Sequence, residues 1–239
     1  MPDHPILSIQ KLGFQWPTMD PFLFCVHHDD RYPRGNAQLG PDAPLTGRDM
    51  GQDFAGFETV TIVRDGLIDH SDSLGATARF GGGDVQWLTA GRGIVHSEMF
   101  PLLDPVRPNR LELFQIWLNL PSSHKMVEPH FTMLWSEKIP RLHCADAAGL
   151  RTEVTCIAGK LRGSDASPLA PPPDSWASRA QSDVAIWTLR MPPGARFTLP
   201  AANAGTRRNL YFFKGQSIFI GGQEVRSHGA IELQGDVAV

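Results

Sequence analysis

Residues 81–99, which read GGGDVQWLTAGRGIVHSEM, constrain the fold of this chain more than any other stretch. Val85–Thr89 is rich in β-forming residues, and Gly91 and Gly93 supply the freedom in φ that a tight reversal requires. A second run with alternating side chains follows over residues 94–100. The segment therefore predicts a strand, a glycine turn and a returning strand.

The returning strand carries the candidate chemistry. Alternation places Ile94, His96, Glu98 and Phe100 on one face, because successive side chains of a strand point to opposite sides. The apolar flanks suggest that this face points into an interior, where a charged carboxylate needs a partner such as a cation. His96 and Glu98 are therefore candidate metal ligands. A solvated face or a hydrogen-bonded His–Glu pair is the alternative interpretation.

Composition and charge restrict the class of protein. The 239 residues, 41% hydrophobic and 20% charged, are typical of a globular protein, and the net charge of −3 argues against a general nucleic-acid-binding surface. Three widely spaced cysteines without a CxxC pair indicate neither a disulfide framework nor a zinc finger. We see no signal peptide and no apolar run of 18 residues, so we expect a soluble cytoplasmic protein without a membrane span.

Frequent glycine and proline between short alternating runs favour an all-β sandwich or barrel. Residues 31–55 show no periodicity and are interpreted as a long loop. Predicted strands, besides the two above, cover residues 6–10, 21–28, 57–63, 67–70, 111–120, 152–158, 184–191, 196–199, 209–213, 217–220 and 230–233.

Several long blocks resemble the pirin family, in the same order along the chain. They are GFETVTIVRDGLIDHSDSLG (56–75), GDVQWLTAGRGIVHSEM (83–99), LELFQIWLNLP (111–121) and KMVEPHF (125–131), with looser similarity at 168–177 and 208–215. The resemblance implies a bicupin, with two tandem jelly-roll-like cupin barrels over residues 1–140 and 141–239. Since pirins continue further, it also implies that the second barrel is truncated. His228 is the only histidine in residues 184–239 and has no carboxylate at ligand spacing, so we expect the second barrel to be metal-free.

The resemblance implies a depleted metal site in the first barrel. Pirins bind iron with three histidines and one glutamate, and two of those histidines form the pattern His-Pro-His-Arg directly before GFETVT. Here residues 52–55 read Gln-Asp-Phe-Ala, so His96 and Glu98 are the remaining ligands. Gln52 or Asp53 could act as substitutes, whereas Phe54 could not. We hypothesise that the hairpin carrying the histidines is missing, because residues 47–56 resemble a segment that lies further upstream in relatives.

The family resemblance leaves three functions open. The first is a quercetinase-like dioxygenase that uses Fe(II) or another divalent transition metal on a flavonol-like molecule, with Glu98 as ligand and base. The second is a non-catalytic bicupin that binds a small molecule, in a cavity lined by Phe57, Ile94 and Trp117, or a protein in the manner of a transcription cofactor. The third is an inactive truncated paralogue. We expect no direct contact with nucleic acid or membrane.

Other polar residues are interpreted as surface or structural residues. His27, His28, Asp29 and Asp30 follow one another at the exit of a predicted strand, where a polar rim is favoured over a second metal site. His70 matches no ligand position of the family and is interpreted as polar or structural. The proline-rich residues 159–181 are expected to lie along the second barrel.

Overall fold

The computed structural model describes residues 5–11, 21–32 and 48–239. Regular structure in these ranges consists of strands and three single-turn 3₁₀ helices, 122–124, 176–178 and 180–182. The strands are β1 Ile6–Lys11, β2 Phe22–Tyr32, β3 Arg48–Phe54, β4 Phe57–Asp65, β5 Leu67–Asp72, β6 Thr77–Gly81, β7 Val85–Thr89, β8 Ile94–Met99, β9 Asn109–Asn119, β10 His130–Leu134, β11 Arg141–Ala145, β12 Arg151–Ala158, β13 Ile186–Arg190, β14 Arg208–Phe212, β15 Ile218–Ile220, β16 Gln223–Val225 and β17 Gly229–Leu233. The all-β prediction is confirmed. No helix in the described ranges is long and apolar enough to cross a membrane.

The prediction of a loop over residues 31–55 is wrong at both ends. Strand β2 continues to Tyr32, and residues 48–54 form β3, while residues 33–47 lie outside the described part. The sequence of β3, RDMGQDF, has low intrinsic β-propensity, but the strand pairs antiparallel with β8. Pairing with a neighbouring strand overrides propensity here, because β-propensity depends strongly on context.

The first unit comprises residues 21–32, 48–138 and 171–178. One sheet has the strand order β10-β7-β4-β9-β2 and the other has the order β3-β8-β5-β6. Strand β4 lies at the centre of the larger sheet, and every residue from 58 to 63 is buried. The candidate metal ligands belong to the smaller sheet of this unit.

The second unit comprises residues 5–11, 139–170 and 179–239. Its sheets have the orders β11-β12-β13, β1-β17-β14 and β15-β16. The predicted division into 1–140 and 141–239 differs from these units in two segments. Strand β1 pairs with β17 of the second unit, and residues 171–178 of the proline-rich arm belong to the first unit.

Two apolar clusters form much of the core of the first unit. One contains Val63, Ile68, Phe80, Leu111 and Leu113. The other contains Phe54, Leu88, Ala90 and Ile94, with Phe57, Trp117 and Phe131 packed against it. The three side chains expected to line a cavity, Phe57, Ile94 and Trp117, therefore lie together, in a cluster that Phe54 joins.

The turn between β7 and β8 gives a prediction about stability. Gly91 has φ of +52°, and a Cβ at this position would overlap the carbonyl oxygen of Val127. Gly75 has φ of +83° but meets nothing within 4 Å. We expect Gly75→Ala to cost about 1 kcal/mol through φ alone, and Gly91→Ala to cost at least about 3 kcal/mol because backbone must also move. Urea unfolding of both variants checks this, and equal losses would contradict the close approach.

Candidate functional site

The candidate metal ligands lie on the buried face of β8, as the alternation predicts. Ile94, His96 and Glu98 are buried, whereas Val95 and Met99 are exposed. The side chains of His96 and Glu98 therefore point into the unit from adjacent positions on one strand face. The alternative of a solvated face is excluded, since each residue is only 5% exposed.

Strand β5 brings a second pair of polar residues beside them. In the antiparallel register, His70 is the Cα partner of Glu98, and Asp72 is the Cα partner of His96. The side chains of His70 and Asp72 are both fully buried. A square of four titratable side chains thus occupies the inner face of the β5–β8 pair.

Hydrogen bonds fix the ring of His70. Its Nε2 lies 3.0 Å from Asp72 Oδ2, and its Nδ1 lies 2.8 Å from Gln86 Nε2. A carboxylate only accepts, so Nε2 donates its hydrogen to Asp72 and Nδ1 accepts from the amide of Gln86. Burial lowers the pKa of His70, although Asp72 opposes this shift. Because both nitrogens are engaged, the geometry agrees with the structural role expected for His70.

Four aromatic rings form a column through the site, in the order Phe131, His70, His96 and Phe54. The successive centroids are separated by 4.8, 5.6 and 4.6 Å. The two inner rings are stacked with an interplanar angle of 24°. We call these four residues the ring column. Its end at Phe54 also contacts Phe57 and Trp117, at centroid distances of 4.9 and 5.5 Å.

Strand β3 provides the other side of the site. It pairs with β8 so that Gln52 is the Cα partner of His96 and Phe54 the partner of Ile94. The ring of Phe54 is buried. The expected substitute ligands, Gln52 and Asp53, have side chains outside the described part of the structure.

The sequence of the chain is similar to that of known proteins. Residues 8–118 match the family model "Pirin". A Pseudomonas aeruginosa protein that carries the provisional name quercetin 2,3-dioxygenase is 39% identical over 196 residues, covering 82% of this chain and 61% of the relative. Human pirin is 39% identical over 125 residues, covering 52% of this chain and 37% of its own length. Over residues 8–118 the chain is similar to the pirin family. It spans about three fifths of the length of the P. aeruginosa relative.

Solved structures support the same pirin-type fold. A quercetin 2,3-dioxygenase from Acinetobacter baumannii superposes with a TM-score of 0.68 at 19% identity, covering 98% of this chain and 71% of that one. A Geobacillus kaustophilus protein gives a TM-score of 0.62 at 23% identity, covering 97% of this chain and 86% of the other. At these identities the likeness shows the fold alone, and it confirms the bicupin prediction.

The described residues offer two of the four ligands that the family resemblance implies. His96 and Glu98 stand on one strand face, which suits a divalent first-row metal. The ring of Phe54 packs on His96, and its residue occupies a position where the family resemblance implies a histidine. His70 places a further imidazole beside His96, but both of its nitrogens have other partners. The donor set therefore fits a weakly held metal ion.

A separate group of potential ligands lies on β2 and β9. His27, Asp29 and Glu112 have donor atoms within 4.8 Å of one another. Buried Glu112 lies 3.0 Å from Arg64 Nε and 2.6 Å from Arg110 Nη2, and Arg110 also binds both carboxylate oxygens of Asp29. A cation would compete with the guanidinium groups of Arg64 and Arg110 for these carboxylates. The geometry therefore favours an ion-pair cluster over a metal site, which agrees with the polar rim expected from the sequence.

A buried glutamate on β4, Glu58, was not anticipated from the sequence. Glu58 is fully buried, and its Oε1 accepts hydrogen bonds from Thr89 Oγ1 at 2.7 Å and Trp87 Nε1 at 3.3 Å. Its Oε2 accepts one from Ser175 Oγ at 2.7 Å, and the backbone N–H of Trp176 also donates to it. Burial raises the pKa of Glu58 to about 7 despite these hydrogen bonds.

Sequence reasoning also missed the partners of His96. His70 and Phe54 were both singled out, but the ring contact of each with His96 depends on the pairing of β8 with β5 and β3. The usable signal was the alternation that places His70 and Asp72 on the same face of β5 as Ile68. Gln86 gave no signal at all, because a glutamine in a strand is common on either face.

Proposed function

We propose that the first unit binds a flavonol-like molecule and supports quercetinase-type dioxygenase chemistry with a weakly held divalent metal ion. The observation that carries this proposal is the buried His96–Glu98 pair, which lies against aromatic side chains on the inner face of the unit. The P. aeruginosa relative with the provisional name quercetin 2,3-dioxygenase supports the reaction class.

His96 and Glu98 would hold the metal, which is Fe(II) or another divalent transition ion. When bound, such an ion supplies coordination sites for the oxygens of a flavonol and for dioxygen. The carboxylate of Glu98 accepts the proton of the flavonol hydroxyl as this group binds. Glu98 is thus the proposed catalytic residue, and His96 is the proposed neutral ligand.

Aromatic side chains near the pair suit contact with a planar aromatic ligand. Phe57 and Trp117 lie 4.8 Å apart between ring centroids, and both contact Phe54. Flat apolar faces stack with planar aromatic ligands and exclude water from the bound molecule. The indole of Trp117 donates a hydrogen bond to Gln115, which fixes its orientation.

The first test measures metal affinity. Apo protein is titrated with Fe(II) anaerobically, with metal quantified after equilibrium dialysis, beside His96→Ala and the control His143→Ala. His143 is exposed on β11 of the second unit. We expect weak binding, with a dissociation constant in roughly the micromolar range or above, that His96→Ala abolishes and His143→Ala preserves. Equal binding by all three proteins would overturn the assignment.

One observation favours the second candidate, a non-catalytic bicupin. Phe54 packs on His96 where the family resemblance implies a third imidazole. A metal-independent binding protein would quench Trp117 fluorescence on quercetin addition with or without Fe(II), and would show no oxygen uptake. The proposed dioxygenase instead consumes oxygen only when metal is in excess. Protein binding and a cytoplasmic location stay predictions from the sequence.

A further inference from the structure

We infer that His70 is a positioning residue, which holds the imidazole of His96 in one orientation through direct ring stacking. The inference rests on the proposed function in one respect, namely that His96 is a metal ligand. The geometry itself involves only side chains of this chain. Three observations carry it.

The nitrogens of His70 leave it no role as ligand or base. Nε2 donates to Asp72 and Nδ1 accepts from Gln86, so neither lone pair nor proton is available. Hydrogen bonds at both ring nitrogens prevent rotation of the ring. What His70 presents to its surroundings is therefore its two faces.

The ring of His70 stacks with two neighbours. Its plane is 23° from that of Phe131 and 24° from that of His96. A ring that is held at both nitrogens and packed against one neighbour is a rigid platform for a second ring stacked on it. The ring column thus transmits the orientation set by Asp72 and Gln86 to His96.

The turn that follows Asp72, the hydrogen-bond partner of His70, is itself hydrogen-bonded to β8. Asp72 Oδ1 accepts the backbone N–H groups of Leu74 and Ala76, which closes the turn after β5. Ser73 in that turn exchanges hydrogen bonds with the backbone of Val95, at 2.8 and 3.1 Å. Val95 directly precedes His96, so the turn fixes the backbone of the proposed ligand while His70 fixes its ring.

Such positioning matters most in a site with few ligands. Each donor that is already oriented avoids the entropy cost of ordering on binding, and loss of an outer partner typically lowers metal affinity by 10- to 100-fold. We therefore expect His70→Gln to weaken Co(II) binding by about 10- to 100-fold. Ser71→Ala, on the exposed side of the same strand, is the matched control and should leave affinity unchanged.

The deciding readout needs no metal. Stacking shifts the ring-proton NMR signals of His96, and we expect these shifts to revert in His70→Gln, persist in Ser71→Ala and be largely retained in His70→Phe, which keeps the ring faces. Gln86→Met is a milder variant if His70→Gln fails to fold, and it should broaden or move the same signals. Unchanged His96 signals in folded His70→Gln or Gln86→Met would overturn the positioning role.

The two readouts separate this inference from the proposed function. Absence of Co(II) binding by the unmodified protein, with His96 signals that still depend on His70, contradicts the metal proposal alone. Co(II) binding that is equal in unmodified protein and His70→Gln contradicts the positioning role alone. Added Co(II) also gives a visible ligand-field spectrum, whose shape in Gln86→Met reports altered ligand geometry rather than a loss of folded protein.

Discussion

The double variant Gln52→His/Phe54→His is expected to bind Fe(II) or Co(II) roughly 10⁴-fold more tightly than the unmodified protein. Structural four-ligand zinc sites gain about 10–16 kcal/mol in total, which is roughly 3 kcal/mol, or about 100-fold, for each ligand. Residue 52 is the Cα partner of His96, and the ring of residue 54 lies 4.6 Å from the His96 ring. Two imidazoles at these positions would complete the ligand set that the family resemblance implies.

The same two substitutions should lower the stability of the metal-free protein. Phe54 is buried and packs on Phe57 and Trp117, so a smaller, polar ring is expected to destabilise apo protein by about 2 kcal/mol. Metal should then raise the melting temperature of the double variant far more than that of the unmodified protein. This combination of lower apo stability and larger metal-induced stabilisation distinguishes a rebuilt site from adventitious surface binding.

Co(II) titration and quercetin-dependent oxygen uptake check this prediction. Phe54→Tyr is the control for a polar ring of similar size without an imidazole, and it should not increase affinity. Adding His96→Ala to the double variant should remove most of the gain. An affinity within about threefold of the unmodified protein would show that residues 52 and 54 do not correspond to the family's ligand positions.

Glu58 should make the stability of the protein fall as the pH rises. Burial raises its pKa to about 7 from an ordinary value of 4.5, so between these pH values the folded state retains a proton that the unfolded state has lost. Stability decreases with pH wherever the folded state binds more protons. The stabilising effect of the protonated carboxyl is therefore complete below about pH 4.5 and lost as the pH passes 7, with a total of about 3 kcal/mol.

Urea unfolding from pH 4.5 to 8 measures this slope. In Glu58→Gln the amide stays neutral and can still bond to Thr89 and Ser175, so the free energy of unfolding should lose about 3 kcal/mol of its pH dependence. Glu137→Gln removes an exposed carboxyl from the same unit and should preserve the slope. The prediction fails if Glu58→Gln and Glu137→Gln show the same dependence on pH.

Side-chain alternation and glycine turns predicted the features that depend on residues close together in the sequence. The burial of His96 and Glu98 followed from strand periodicity, and the bounds of β7 followed from glycine turns on either side. The stacking of His70 on His96 was not predictable, because it depends on which strand pairs with β8. The hydrogen bond between Ser175 and Glu58 joins residues 117 positions apart, a separation at which no sequence period carries information.

The resemblance to pirins identified residues 52–55 as a departure from the family pattern, but its structural consequence could not be read from it. An expected loop over residues 31–55 ends in a strand, and Phe54 fills space beside His96. The resemblance implies which ligand positions are replaced, whereas the packing shows what Phe54 contacts. Both are needed to explain why the remaining donors are still buried and oriented.

The first unit includes residues 171–178, and this has a consequence for synthesis on the ribosome. Glu58 leaves the exit tunnel long before Ser175, and at 5–20 residues per second the wait is roughly 6–20 s. During that interval the carboxyl lacks two of its hydrogen-bond donors, Ser175 and Trp176. Strand β1 remains without its partner strand for longer, because it pairs with β17 and Ser8 bonds to Glu232, 224 positions later. Nascent chains therefore present unpaired strand edges to other polypeptides, and their yield in cells should depend on chaperones that bind before translation ends.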